Sequence, residues 1–296
     1  LKHFFTYIVI FSLLAGCGNN NEEVPWNSSS LFERAEGIGE APHTINEASG
    51  LAGSIANPEQ LWTHNDSGGE PRVFLINKKA EIVAIVTLEG VENRDWEDIT
   101  VGKGPQSDTS YLYIAEIGDN RSIHATKYVY RFPEPKIDSI TSTPVLLTIS
   151  DFDRIPIKYS DGKRDAETLF IDDARDLYIV SKREANVNVY VVKYPQRTDT
   201  VNVLTRLGSL PIHNVVSGDI SNNNEILLKT YDNVYYWKIV DGQSVHTTLS
   251  HTPTLLSYKP EPQGEAICWA PNGNGYFTLG EKNGTIIPKL LYYKRR

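Results

Sequence analysis

The stretch NRDWEDIT, residues 93–100, sets Asp95, Glu97 and Asp98 around Trp96 and then runs into alternating apolar positions. A surface loop gains nothing from a tryptophan, and a buried strand has no ordinary use for three carboxylates, because unpaired buried charge is costly. The same form returns along the chain as EASGLA (47–52), DWEDIT (95–100), DAETLF (165–170), VSGDIS (216–221) and QGEAIC (263–268). Its third position is Ser49, Glu97, Glu167, Gly218 and Glu265; one small or acidic residue follows, then Leu or Ile. Third positions are separated by 48, 70, 51 and 47 residues. A period of about 45–50 residues is the mark of a propeller or a stacked array of β-sheet units.

Each period holds strand-like runs bounded by turn signals such as NDSGG, IGDN and PNGNG. The first unit reads LAGSI, LWTHND, RVFLIN and EIVAIVTL, and the second DITVG, YLYIAEI, KYVYRF and VLLTISDF. The fourth ends in a strand expected near HTTLSH, and the fifth stops after KLLYYKR without an outer strand. The segment LFERAEGIG (31–39) precedes the first unit and has no other partner, although LFERAEGIGE is also the nearest approach to an amphipathic helix. Pairing that segment with the last unit closes a ring and protects its edges. The expectation is an all-β, five-bladed β-propeller of four-stranded blades. The 70-residue interval either hides a sixth blade or makes an excursion through SDFDRIPIKYSDGKR, and the excursion is preferred because IPIKYSDGK is too short for four strands.

Residues 1–16 read as a targeting segment, with Lys2 before an apolar run too short to span a bilayer comfortably. The chain has no Met, so Leu1 is expected to stand for the initiator at a non-standard start codon. LLAGC ends in Cys17 and resembles a lipobox, whose cysteine becomes the lipidated first residue, carrying palmitate or a similar chain. Residues 17–30 then form a polar tether, and 31–296 a single propeller domain. Gly18 favours the outer membrane, and NNNEE resembles the acidic export signal of surface lipoproteins, leaving the periplasmic and surface faces both open. Cys268 has no partner once Cys17 carries lipid. The 296 residues carry a net charge of −8, which argues against nucleic acid as a partner, and a monomer is expected.

In a propeller the innermost strand of each blade lines the central channel, so Ser49, Glu97, Glu167 and Glu265 should converge on the axis. Three unpaired carboxylates repel one another, and a hard cation resolves that; Ca²⁺ takes six to eight oxygen ligands. The competing reading is that these acids accept turn N–H groups and lock the blades together. The ends of the second strands bring His64 or Asp66, Glu116, Lys182, Lys229 and Glu281 to similar places, with Asp119, Asn120 and Arg121 beyond them. Such a mixed ring suits a small polar or anionic ligand, or an extracellular glycan, or else a solvated funnel of internal ion pairs. His64, Lys182 and Lys229 are the catalytic candidates. HExxH, GxSxG, P-loop and dinucleotide motifs are absent.

With EASGLA, HNDSG, NRDWEDI, IGDN, DAETL and GEAI in this order over about 45–281, the chain resembles a group of secreted bacterial β-propeller lipoproteins. More loosely it resembles the five-bladed calcium-dependent apyrases and the phytase-like and lactonase-like propellers. That likeness implies a central Ca²⁺ held by Ser49, Glu97 and Glu167, with Glu265 or Glu281 as a further ligand; Gly218 stands where the apyrases have a second Ser, beside Ser217. Two functions follow from the residues. One is a ligand-binding or scaffold propeller; the other is a calcium-dependent hydrolase of an anionic ester, lactone or saccharide.

Overall fold

The computed structural model describes residues 30–138 and 143–296; the leader expected at 1–16 and Cys17 lie outside them. The chain begins with β1 (Glu36–Glu40). The first unit is a meander of β2 (Ala48–Gly53), β3 (Leu61–Asn65), β4 (Arg72–Ile76) and β5 (Ile82–Leu88). The second opens with β6 (Trp96–Lys103), β7 (Ser110–Glu116) and β8 (Lys127–Pro133). After β9 (Val145–Ile149), β10 (Asp153–Tyr159) pairs antiparallel with β8 and completes that unit. The third contains β11 (Ala166–Ile171), β12 (Leu177–Ser181), β13 (Val187–Val192) and β14 (Asn202–Leu210). The fourth contains β15 (Val215–Ser221), β16 (Glu225–Thr230), β17 (Val234–Lys238), the short α1 (Val245–Leu249) and β18 (Thr254–Leu256). The last has β19 (Ala266–Trp269), β20 (Gly275–Leu279) and β21 (Lys289–Lys294), and β1 pairs antiparallel with β21 as its outer strand.

These units close on themselves. The inner strands β2, β6, β11, β15 and β19 each touch the next, and β19 touches β2. Each neighbouring pair of units encloses its own apolar layer. Trp62, Trp96 and Leu112 pack between the first and second, and Tyr113 and Leu169 between the second and third. Phe170 and Ile226 follow, then Leu227 and Trp269, and Leu51 with Phe277 completes the circuit. Sandwiching a sheet on both faces explains why the inner and second strands are nearly continuous runs of buried residues. The arrangement is a β-propeller.

The long interval is an excursion, with one correction to its reading. VLLTI is not the outer strand of the second unit; it crosses to lie parallel to β5 as a fifth strand of the first sheet. The outer strand is instead DRIPIKY, which also pairs parallel with β14 and joins the second and third units into one eight-stranded sheet. Pro156 obscures that strand in the sequence; pairing with β14 begins only at Ile157, so the proline stands at the end of that ladder. HTTLSH is likewise not a strand. Ser244 caps α1 by accepting the Thr247 N–H at 3.1 Å, and the fourth strand follows at Thr254. LFERAEGIGE is not helical: Phe32 bridges to Arg295 and is buried against Trp269 and Tyr276.

Candidate functional site: the acidic mouth of the channel

A shared irregularity positions the site. Pairing of inner with second strand skips one residue between Ala48 and Gly50, Trp96 and Asp98, Ala166 and Thr168, and Val215 and Ser217. Each skip is a β-bulge, which leaves one residue unpaired and re-aims its side chain. The bulged residues are Ser49, Glu97, Glu167 and Val216. Glu265 stands at the matching place, because the Glu281 N–H donates to the Gln263 carbonyl as the Lys182 N–H does to Asp165. The fourth motif was therefore read out of register. Gly218 is not the equivalent position; it packs under Leu228, where a Cβ would lie 2.6 Å from a side-chain carbon. Val216 takes that place, and the two later intervals become 49 and 49 residues.

Glu97, Glu167 and Glu265 are all buried, and two of them meet. One oxygen each from Glu97, Asp165 and Glu167 lie within 4.8 Å of one another. Asp66, Asp95 and Glu97 form a second such group, with Asp66 and Asp95 partly exposed. Asp165 and Asp95 each precede a bulged glutamate by two residues, immediately before the strand begins. That D-x-E pattern was the overlooked signal for Asp165. Ser49 is turned otherwise: its hydroxyl donates to the Glu97 carbonyl at 2.7 Å. Glu265 accepts the Tyr231 hydroxyl at 2.5 Å and faces the Lys182 ammonium at 3.7 Å. Glu281 accepts from Gln263 at 2.5 Å.

Electrostatics mark the mouth as short of positive charge. Burial first, and then the neighbouring Glu167, push the Glu97 carboxyl well above the ordinary range. Burial raises Glu167 too, against the pull of Lys182. Burial lifts Asp66 to about 7, and burial with Glu265 lifts Glu281 to about 8. Lys182 pairs with one oxygen of Glu167 and donates to Tyr231 at 2.9 Å. Burial alone would lower that ammonium, but Glu167 and Glu265 hold it above its usual value. The other oxygen of Glu167, Oε2, is buried without a partner. Arg183 pairs with Asp165 at 2.6 Å and contacts Asn120.

Of the remaining candidates, Asp119 touches the mouth through its N–H, which donates to Asp165 at 2.7 Å. His64 is fully buried edge-on against Trp96, bonds the Asn65 carbonyl through Nδ1 at 2.9 Å, and is lowered to about 4 by burial. A neutral, enclosed imidazole cannot serve as the open base expected there. Lys229 is buried, donates to the Gly264 and Thr230 carbonyls, and lies over the Tyr258 ring. Glu116 pairs with Arg94 at 3.4 Å. Asp119 accepts the Ile123 and His124 N–H groups and binds Lys127 at 2.8 Å. Arg121 is exposed.

Blade locking is present, but in different acids. Asp98 accepts the Leu169 N–H at 2.9 Å, the Ile99 N–H at 3.0 Å and the Ser217 hydroxyl at 3.1 Å, tying three units together. Asp219 accepts the Ile220 and Trp269 N–H groups, both at 2.8 Å, and ties the fourth unit to the last. The carboxylates of NRDWEDIT thus divide: Asp98 turns to the framework, and Asp95 and Glu97 to the mouth.

No family model matches the chain, and no curated protein matches it in sequence. Among solved structures it is similar to the PQQ-bound aldose sugar dehydrogenase of Streptomyces coelicolor, with a TM-score of 0.51 and 9% identity over 92% of this chain and 100% of that one. A gluconolactonase of Xanthomonas campestris matches with a TM-score of 0.49 and 13% identity over 89% of each chain. At such identity the likeness to the dehydrogenase establishes the β-propeller fold alone.

Proposed function

We propose that the protein is a lipid-anchored propeller, held to the bacterial outer membrane through Cys17, that binds Ca²⁺ and a small polar or anionic ligand or glycan at its acidic mouth. The observation that carries the cation is Glu167 Oε2, a buried oxygen without a partner, on a carboxylate that has one oxygen within 4.8 Å of oxygens of Glu97 and Asp165. The donor set fits a hard cation, being all carboxylate oxygen with no Cys or His. Gly118 makes room for the Glu97 carboxylate, since a Cβ there would overlap Glu97 Oε1 and the Asp95 carboxylate. Glu97, Asp165 and Glu167 would hold the ion, with Asp165 also accepting the Asp119 N–H at 2.7 Å and pairing with Arg183; the Ser49 hydroxyl is turned to the Glu97 carbonyl and Glu265 accepts from Tyr231. A bound cation supplies positive charge to which an anionic or hydroxyl oxygen of the ligand can bind. Lys182, Arg183 and Tyr231 border the same space and would orient that ligand.

Binding is favoured over hydrolysis because His64 is enclosed, Lys229 is bonded to backbone carbonyls and Lys182 is paired. Chelation should lower the melting temperature, and added Ca²⁺ should restore it. A ligand of the folded state alone adds about 2.7 kcal/mol at a hundredfold excess over its dissociation constant. Glu97→Gln should shrink that response. A melting curve indifferent to chelator, with no calcium by elemental analysis, rejects the cation. Turnover of phosphate esters, lactones or glycosides that is lost in the same variant would favour the hydrolase.

A further inference from the structure

We infer that the mouth holds two divalent cations side by side, with the Glu97 carboxylate shared between a buried position at Asp165 and Glu167 and an outer position at Asp66 and Asp95. This rests on the cation reading above and extends it.

Glu97 is the residue common to both groups of three carboxylates. It is only 3% exposed, and no described residue hydrogen-bonds to its carboxylate. A single buried position would use the Asp165 and Glu167 side and leave Asp66 and Asp95 facing Glu97 uncompensated. The cations nearest Asp95 also face other acids: Arg94 lies 3.4 Å from Glu116 and Lys127 2.8 Å from Asp119. Gly118 supports the same reading, because its missing side chain is what lets Glu97 Oε1 and the Asp95 carboxylate approach one another. Charge agrees. Asp66, Asp95, Glu97, Asp165, Glu167, Glu265 and Glu281 are opposed directly by Lys182 and Arg183. One divalent ion leaves three negative charges in excess; two leave one. Carboxylate-sharing pairs of divalent ions about 3.5–4 Å apart are an established arrangement. The outer ion, beside the half-exposed Asp66 and Asp95, would be the one open to an anionic ligand.

The test is Ca²⁺ stoichiometry, by equilibrium dialysis and by calorimetry, on metal-stripped protein. Wild type should bind two equivalents. Asp95→Asn and Asp66→Asn, at partly exposed sites, should each bind one and keep the wild-type fold by circular dichroism. Two equivalents in wild type and in both variants would place the second ion elsewhere and overturn the inference. One equivalent in wild type overturns it while leaving the single-ion reading intact; none overturns both. A variant that binds no ion where wild type binds two shows that the positions are not separable and also overturns it.

Discussion

At the scale of single residues, the acids at the mouth make stability depend on pH in a direction that can be worked out. Asp66 and Glu281 are raised to about 7 and about 8, and Asp219 in the framework to about 7. For an acid raised in the folded state, the native protein binds more protons than the unfolded chain between the two values. Stability therefore falls as pH rises through that window. His64, lowered to about 4, acts oppositely: its neutral folded form adds stability as pH rises from about 4 to 6.5. Between pH 6.5 and about 7.5 the acids dominate; above that the Lys229 ammonium, lowered to about 8 by burial, acts in the opposite sense. The metal-free protein should melt at progressively lower temperature from about pH 6.5 to 7.5, and saturating Ca²⁺ should flatten that decline. Thermal melts across that range, with and without chelator, check it; a flat chelator curve would mean that the mouth is compensated by protein charge alone. The meeting of Glu97 and Glu167 was legible, because acids before buried strands demand a reason. Asp165 was missed because its place beside them shows only once the strand start is folded, and the enclosure of His64 was missed because burial cannot be read from a strand end.

At the scale of elements, the division of labour between adjacent acids has a measurable consequence. Asp219→Ala would leave the Trp269 N–H buried without its acceptor, a loss of about 1–3 kcal/mol. The change sits between the fourth and last units, away from Glu97 and Glu167. It should lower the melting temperature yet leave the Ca²⁺-induced shift unchanged, whereas Glu97→Gln alters the shift itself. If Asp219→Ala abolished the shift, framework and site would be one network. β1 is the second element to test. Removing residues 31–45 takes away the outer strand of the last sheet and buried Phe32, Ala41 and Ile45. At about 1.5–3 kcal/mol for a large apolar side chain, with an edge exposed besides, the loss approaches a whole domain's stability. The truncated chain should lose cooperative melting; a wild-type transition would refute the closure. This closure was legible because the last unit lacks one strand. The second unit's outer strand was not, because Pro156 argues locally against a strand that two neighbouring strands impose.

At the scale of the whole molecule, topology fixes which end meets the tether. Glu97 and Glu167, at bulges, and Glu265, immediately before β19, stand where the chain enters the inner strands. Phe32 bridges to Arg295, and the Arg295 N–H donates to the Asn274 carbonyl, beside the start of β20. Gly275 and Tyr276 lie at the opposite end of the last unit from Glu265, since Tyr276 pairs with Trp269, the final residue of β19. The chain therefore joins the propeller on the face away from the acidic mouth. Ser30 lies thirteen positions after Cys17, so that stretch spans about 45 Å at most even when fully extended. If Cys17 carries the lipid, the mouth points away from the bilayer, and a ligand arrives without passing between protein and membrane. Ser67, an exposed residue beside Asp66, and Asn272, on the other face, offer sites for single-cysteine labelling; Cys268 is buried and should stay unlabelled. In vesicles carrying a headgroup quencher, a fluorophore at Asn272 should be quenched more strongly than one at Ser67. Cys17→Ser should remove the protein from the vesicles and the difference with it. Equal quenching at both positions in the anchored protein would mean that the propeller lies on its side, and stronger quenching at Ser67 would turn the mouth toward the membrane.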